Sequence, residues 1–391
     1  MRHVRSHSRT LTGSVMVLAA LFGGAGTALL GICGPFTDVS DVVFCPFVLE
    51  IFYLGITTGT TPTTYDPGSS VNRLQMAAFL SRTVDGVVKR GGRRAALNHF
   101  WTTEANAGLA LTTVGSGPRV VVSDGKDLWV ANNSGDTVSR VHGSDGKLLQ
   151  TWTGATLAFG VLSAMGRVFA TGATNPGTLY RIDPSQPAGA VTTVASNLGA
   201  FPAAIAYDGS RIWTTNFFGF SVSIVTPGAA LPWTVTTVTT GFDLLAGTLY
   251  DGANVWVTDE LQGTLLKLSS AGAVLQTVTV GSAPQFPVFD GSNIWVPNYG
   301  SASVSVVRAS SGAVLATLTG NGLGLPIQAA FDGQRVLVTN ATGPSVSLWK
   351  AADLMALGSV STGPGTNPIQ AASDGVNFWL ALNGSIQLAR F

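Results

Sequence analysis

The chain has 391 residues and a formal net charge of +1, and only 10% of its residues are charged. This balance predicts no general attraction to nucleic acid or anionic membranes, and it argues against functions that depend on the phosphate backbone. Forty-eight glycines and eighteen prolines favour many short strands joined by tight turns.

Residues 1–28 are typical of an export signal. Arg2, Arg5 and Arg9 form a basic start, and an apolar stretch with small residues near its end follows. We place the cleavage site after Ala28. The alternative is an uncleaved membrane anchor, because the apolar stretch is just long enough to span a bilayer. We therefore expect an exported protein of the cell envelope or cell surface, or a secreted one.

The next segment contains both cysteines of the chain, Cys33 and Cys45. In an exported protein an isolated pair predicts a disulfide. A metal site would need further Cys or His residues nearby, and the sequence offers none, so we expect no metal.

Two short helices joined by a loop are predicted between residues 36 and 84. Apolar residues recur at helical spacing in both segments: Val48, Ile51, Phe52 and Leu54 in the first, and Leu74, Ala77, Ala78 and Leu80 in the second. Asn72 is placed to be the N-cap of the second helix. The unit is small, and the disulfide would help to hold its start.

Four ordered sequence blocks in this region resemble an S-layer homology module. They are FTDV at 36–39, LGITTG at 54–59, YDP at 65–67 and VNRLQMAAFL at 71–80. The family's usual Thr-Arg-Ala-Glu is replaced here by Asn72-Arg73-Leu74-Gln75, which keeps the arginine and changes the acid to an amide. The resemblance covers residues 33–84.

The resemblance implies binding of an anionic, pyruvylated wall polysaccharide, with Arg73, Asp38 and Gln75 as the glycan-binding candidates. A guanidinium suits this role because it can hold a carboxylate through two hydrogen bonds. Such modules usually occur in threes, so one copy per chain implies a homotrimer. The alternative is a folding cap or spacer that no longer binds glycan. Residues 85–107, with the basic run KRGGRR at 89–94, are expected to be a solvated linker; contact with anionic wall polymer or lipid is the alternative.

A ten-residue phrase such as FDGSNIWVPN at 289–298 recurs through the rest of the chain. Its turn glycine appears seven times at intervals of 39 to 43 residues, namely at Gly125, Gly166, Gly209, Gly252, Gly291, Gly333 and Gly375. This period and the strand-rich composition predict an all-β fold over 108–391, a seven-bladed β-propeller with four-stranded blades. In the fifth repeat the first strand is predicted at 285–289.

The phrase itself has a structural interpretation. Its second strand is apolar on both sides of the pleat, as expected for a blade packed between two neighbours. Six of the seven turns contain Asp, and we expect each carboxylate to cap its own turn rather than to bind calcium. After Gly375 only two strands remain, so residues 108–115 should supply the missing outer strand and close the ring.

The repeat resembles the YVTN and NHL-type propellers over 108–391, and the combination of module and propeller resembles bacterial envelope proteins. These propellers include both binding proteins and lyases with a histidine base and a divalent metal, so the fold alone does not decide function. The four histidines here are His3, His7, His99 and His142, and none is expected on an inner strand. Asp259 and Glu260 are adjacent acids suited to acid–base chemistry, but we expect them to be surface acids.

A propeller usually binds its ligand at the mouth of its central channel. The starts of the inner strands offer Arg119, Phe286, Gln328 and Gln370, and the ends of the second strands offer Asn298 and Asn340. Such residues suit sugar or peptide binding better than catalysis, although Asn also favours turns for local reasons. We therefore expect a noncatalytic envelope protein without a cofactor, which associates with wall polysaccharide and recognises an unknown ligand or protein. The alternative is a lyase or hydrolase at the channel mouth.

Overall fold

The computed structural model describes residues 33, 36–40, 44–53, 57–90, 110–375 and 377–391. The predicted export signal at 1–28 lies outside the described residues, as does most of the predicted linker. The chain divides into two compact units, Met1–Gly92 and Arg93–Phe391. No helix in the described part of the chain combines the length and the apolar character needed to cross a membrane.

The first unit contains two helices, α1 (Cys45–Tyr53) and α2 (Arg73–Arg90). A disulfide joins Cys33 to Cys45, as predicted, and both cysteines are buried in a small cluster with Phe36, Val39 and Val48. This cluster is the core of the unit. The described part of α2 contributes no buried side chain to it.

The N-terminus of α2 is capped by its own sequence. The Asn72 side chain accepts a hydrogen bond from the Gln75 N–H (2.9 Å), and the Gln75 side chain accepts one from the Asn72 N–H (3.0 Å). This reciprocal pair is a capping box, so Asn72 is the N-cap that the sequence predicted. The apolar side chains of this helix are largely outside the core: Leu74 is 83% exposed and Leu80 is 59% exposed. The helix continues to Arg90, into the segment predicted as a linker.

The second unit is built from strands, and no helix is found in its described residues. In chain order the strands are β1 (Ala110–Thr113), β2 (Pro118–Ser123), β3 (Asp127–Asn132), β4 (Thr137–His142), β5 (Leu148–Thr153), β6 (Ala158–Ala164), β7 (Arg167–Gly172), β8 (Gly177–Ile182), β9 (Thr192–Leu198), β10 (Pro202–Tyr207), β11 (Ile212–Asn216), β12 (Ser221–Thr226), β13 (Thr234–Val238), β14 (Leu245–Tyr250), β15 (Val255–Asp259), β16 (Thr264–Leu268), β17 (Val274–Thr279), β18 (Val288–Phe289), β19 (Asn293–Asn298), β20 (Ser303–Arg308), β21 (Val314–Leu318), β22 (Pro326–Phe331), β23 (Arg335–Asn340), β24 (Ser345–Lys350), β25 (Ala356–Ser361), β26 (Pro368–Ser373), β27 (Phe378–Leu382) and β28 (Gln387–Arg390).

These strands form seven antiparallel four-stranded sheets, the blades of a β-propeller. Blades 1 to 6 each take four consecutive strands, from β2–β5 to β22–β25. Blade 7 has the order β26-β27-β28-β1, so the N-terminal strand β1 is its outer strand, with Ala110 opposite Arg390. The structure confirms the predicted seven blades and the predicted closure of the ring.

The core lies between the blades. Every residue of the second strand β3 is buried, as expected for a strand that has a neighbouring blade on each side. One equivalent position in each blade carries a large side chain that is 0–1% exposed, namely Trp129, Phe169, Trp213, Trp256, Trp295, Leu337 and Trp379. The recurring tryptophan is therefore a blade-packing residue, as the sequence predicted.

The inner strands are irregular where they begin. In blades 1 to 4, 6 and 7 the register between the first and second strands shifts at this point, for example between Pro118 and Val121. In blade 5 the first strand is only Val288–Phe289, so the prediction of a strand over 285–289 was too long. Pro287 lacks an N–H for the ladder, and the preceding Phe286 pairs instead with blade 6, donating to the Ile327 carbonyl (3.1 Å) and accepting from the Ala329 N–H (3.1 Å).

Candidate functional site at the channel mouth

The irregular starts of the seven inner strands bring seven side chains together around one end of the channel. They are Arg119, Phe159, Ala203, Ala246, Phe286, Ile327 and Ile369, one from each blade in chain order, and all seven line one cavity of about 470 Å³. We call these residues the mouth ring and the space they enclose the mouth cavity. Its volume is within the range of about 300–1,000 Å³ typical of small-molecule sites.

Loops that precede the inner strands or follow the second strands complete the cavity. They add three phenylalanines, a tyrosine, an acid and two amides: Phe201, Phe217, Phe218, Tyr299, Glu260, Gln285 and Asn367. Ring contacts of 5.0–5.5 Å join Phe159 to Phe201 and Phe201 to Phe218. Blades 2 and 3 therefore give the cavity an aromatic wall.

Arg119 is the one charged member of the mouth ring. Its guanidinium carbon lies 4.8 Å from the centre of the Phe159 ring, which is a cation–π contact. Its Nε is buried and has no hydrogen-bond partner. Burial lowers the pKa of the guanidinium, but arginine keeps its charge at neutral pH. The mouth cavity therefore contains a partly desolvated cation.

Glu260 is the acid of the cavity, and it follows β15 in blade 4. Blades 1 and 4 are three places apart in a ring of seven, which is the largest possible separation. Arg119 and Glu260 therefore belong to opposite sides of the mouth, and no ion pair joins them.

The neighbouring Asp259 has a structural position, which corrects the prediction that it is a surface acid. It is 1% exposed, and its carboxylate accepts hydrogen bonds from the N–H groups of Asp243 (2.8 Å) and Gln262 (3.2 Å). These bonds fix the loop that carries Glu260.

Gln328 and Gln370 lie one residue beyond the mouth ring, in the channel. They line a second cavity of about 280 Å³, which Phe286 also borders. The Gln328 Oε1 accepts a hydrogen bond from the Ala371 N–H (2.6 Å). Gln370 is 2% exposed and its Nε2 has no partner. The two glutamines thus line the channel below the mouth cavity.

Asn298 and Asn340 line neither of these two cavities, which corrects their prediction as mouth residues. Both are fully buried. The Asn298 amide donates to the Ser303 and Ser305 hydroxyls (3.1 and 3.0 Å) and accepts from the Gly281 N–H (3.1 Å). Asn340 makes the equivalent contacts in blade 6. These asparagines are used to hold the loops at the ends of the second strands.

His142, the histidine within the described residues, ends β4 at the other end of its blade. Its Nδ1 lies 2.9 Å from the Asp145 carboxylate in a turn. In the described ranges no group of three or more His, Cys, Asp or Glu side chains is placed to hold a metal ion.

The three glycan-binding candidates lie in the first unit. The Asp38 carboxylate accepts hydrogen bonds from the N–H groups of Tyr65 (2.8 Å) and Asp66 (2.6 Å), and the Tyr65 bond is the main cause of its lowered pKa. Gln75 serves in the capping box of α2. The Arg73 side chain is exposed and, among the described residues, makes no hydrogen bond or ion pair.

Fold and cavity together define a seven-bladed propeller with a ligand-sized site at the channel mouth. No model of a known protein family matches this sequence, and no curated protein matches it either. Several solved propeller structures are similar to this chain. A streptogramin B lyase is 14% identical over 72% of this chain and 96% of its own, with a TM-score of 0.61.

Two further solved structures are also similar to this chain. Virginiamycin B lyase from Staphylococcus aureus is 14% identical over 72% of this chain and 99% of its own, with a TM-score of 0.60. The WD40 β-propeller domain of Doa1 is 11% identical over 73% of this chain and 96% of its own, also with a TM-score of 0.60. At these identities the likeness shows the propeller fold alone.

Proposed function

We propose that the protein is a noncatalytic recognition protein of the cell envelope, in which the propeller binds a ligand at the mouth cavity. The observation that carries this proposal is the composition of the cavity: six aromatic side chains and an unpaired arginine surround about 470 Å³. Such a lining provides apolar contact and orientation.

The first unit is proposed to associate with wall polysaccharide through Arg73, with Asp38 ordering the segment beside it. The exposed, unpaired guanidinium on the first turn of α2 supports this role, because it is free to bind a carboxylate of a glycan. Exposed apolar side chains on the same unit, including Phe47 and Leu74, support association of three copies. The disulfide supports export, since such bonds persist in oxidising compartments.

The wall-binding part is tested by sedimentation with isolated cell walls at two salt concentrations. Arg73→Ala should weaken binding by roughly 1.5–3 kcal/mol, the usual value of a charge-assisted contact, and Arg73→Lys should restore it only in part. Arg308→Ala is the matched control, because Arg308 is an exposed arginine of the other unit. Equal pelleting of the wild type and Arg73→Ala would refute a glycan-binding role for Arg73.

The propeller part is tested with soluble wall fragments in a direct binding assay. Phe218→Ala removes one ring of the aromatic wall, and it should weaken binding. Phe220→Ala is the matched control, because Phe220 is on the same loop and similarly exposed but does not line the cavity. Indistinguishable binding of the two variants would remove the mouth cavity as the recognition site.

The alternative function is a lyase or hydrolase with its site at the same mouth cavity. The presence of Glu260 in that cavity supports this alternative. A carboxylate beside a bound ligand could act as a general base. Turnover of wall fragments by the wild type that Glu260→Gln abolishes would establish the enzyme. Stoichiometric binding with no product supports the recognition protein.

A further inference from the structure

Among the described residues, six arginines of the propeller stack on an aromatic ring, and three of them, Arg119, Arg181 and Arg390, have no carboxylate partner. Arg140, Arg211 and Arg335 also stack on aromatic rings, at 5.2, 5.2 and 5.5 Å. Each of these three has a carboxylate partner as well, at 2.6, 3.0 and 2.8 Å.

Of the three without a carboxylate partner, Arg119 is the one with a buried guanidinium nitrogen that has no hydrogen-bond partner among the described residues. A partly buried cation without a counter-charge is unfavourable in the free protein, so an anion that completes this pattern would bind there favourably. The cation–π contact with Phe159 holds the guanidinium in place for such an anion.

We propose that the mouth cavity binds a carboxylate carried on an aromatic body, with the carboxylate on Arg119 and the ring against Phe201 and Phe218. This inference rests on the proposed function, because it names the class of ligand that the recognition site takes. The aromatic wall would supply edge-to-face contacts with the ligand's ring.

The other groups of the cavity restrict the charge of the ligand. Among the residues that the structure describes, Arg119 is the only cation that lines the cavity, and Glu260 lies on the opposite side. A dianion such as a phosphate monoester would place excess negative charge against Glu260, whereas a carboxylate matches both the single charge and the planar fork of a guanidinium.

The test is calorimetric titration of the full chain with N-acetyl-phenylalanine. N-acetyl-phenylalanine amide lacks the charge and N-acetyl-alanine lacks the ring, and both should bind at least ten-fold more weakly. Arg119→Gln should reduce the affinity for N-acetyl-phenylalanine by about ten- to a hundred-fold, as expected for loss of a charge-assisted contact, while leaving the amide unaffected. Arg119→Lys should recover part of the loss.

Arg308→Gln is the control, because it removes an exposed arginine outside the cavity. Thermal unfolding of each variant establishes that the propeller remains folded. A peptide with a free C-terminal phenylalanine, compared with its amidated form, distinguishes a chain terminus from a free aromatic acid as the source of the carboxylate. Tighter binding of the free-acid peptide than of N-acetyl-phenylalanine would identify the chain terminus.

Equal binding of N-acetyl-phenylalanine and its amide, or no effect of Arg119→Gln, would overturn this inference. The proposed function would survive that result if Phe218→Ala still weakened binding of wall fragments relative to Phe220→Ala. If neither Phe218→Ala nor Arg119→Gln changed any binding, both would fail.

Discussion

The turn aspartates explain why the phrase repeats, because each carboxylate has two separate uses. The Asp251 Oδ1 accepts the N–H groups of Ala253 (2.8 Å) and Asn254 (2.6 Å), which caps the turn. Its Oδ2 accepts the indole N–H of Trp256 (2.7 Å). The same indole bond occurs in five blades. The aspartate therefore satisfies the polar atom of a tryptophan whose ring is buried between blades.

Asp208 makes the propeller sensitive to acid. Burial opposes ionisation of Asp208, but hydrogen bonds from the Trp213 indole and from the Arg211 and Ser210 N–H groups outweigh it and lower its pKa from 3.8 to about 2. Because the folded-state pKa is below the unfolded value, the ionised group stabilises the fold above about pH 4. That stabilisation should be lost as the pH falls from about 4 to about 2.

The measurement is the free energy of unfolding of the wild type and Asp208→Asn between pH 5 and pH 2. Asp208→Asn should be less stable at neutral pH and should show a smaller decline in acid. Glu260→Gln, which removes a carboxylate that caps no turn, is the comparison. If the free energy of unfolding fell as steeply with pH in Asp208→Asn as in the wild type, the acid sensitivity could not be assigned to Asp208.

At the scale of strands, threonines at the ends of the second strands link neighbouring blades. The Thr258 hydroxyl of blade 4 accepts the Gly247 N–H (2.8 Å) and donates to the Gln285 carbonyl of blade 5 (2.8 Å). Thr215 and Thr339 donate in the same way to the Ala246 and Ile369 carbonyls of the following blades. These bonds satisfy backbone groups that the irregular inner strands leave without ladder partners, and so they support the mouth ring.

Thr258→Val should therefore destabilise the propeller by about 1–3 kcal/mol, since two backbone groups lose their partner while the shape of the side chain is kept. Chemical denaturation measures the effect. Thr192→Val is the control, because Thr192 is an exposed strand residue, and it should change stability by less than about 0.5 kcal/mol. Equal effects of the two substitutions would mean that the inter-blade bonds contribute nothing.

Sequence analysis predicted the blades well and the site only in part, for a physical reason. The period of the turn glycine and the apolar second strands depend on local chemistry, and the seven glycines do adopt φ between 64° and 97°. The mouth ring depends instead on the irregular start of each inner strand, which is a register shift in six blades and a shortened strand in blade 5. The local pattern did not reveal that shift, so Ile327 and Ile369 were missed, and the adjacent Gln328 and Gln370 were predicted in their place.

Asn298 and Asn340 show the converse error, because they were predicted to line the mouth and are buried within their blades. Their position at the ends of strands predicted exposure at the mouth, but the serines five and seven residues further on accept their amides and draw them into the blade. The signal was present in the sequence as Asn-x4-Ser-x-Ser. It is recognisable only once the hairpin register is known, because the register places these side chains together.

At the scale of the molecule, both cysteines belong to the unit Met1–Gly92. Reduction should therefore lower the stability of that unit by roughly 2–3 kcal/mol, as expected for a short closed loop, and leave the propeller unchanged. Calorimetry with and without reductant measures this. Cys33→Ser with Cys45→Ser should reproduce the reduced profile, and a shift of the propeller transition on reduction would contradict the prediction.

The closed ring also determines how the propeller should unfold. Blade 7 combines the last three strands of the chain with β1, which precedes all of the other blades, and four residue pairs join β1 to β28. This pairing connects the two ends of the propeller and leaves no unpaired edge at the closure.

Replacing residues 110–113 with Gly-Ser-Gly-Ser should lower the free energy of unfolding by about 2–6 kcal/mol, at 0.5–1.5 kcal/mol for each pairing. Hydrogen exchange should show the loss first in β26–β28. Replacing 234–237 in β13, an outer strand of blade 3 with no part in closure, should leave blade 7 protected. Wild-type protection of blade 7 in the first variant would mean that packing between blades closes the ring without β1.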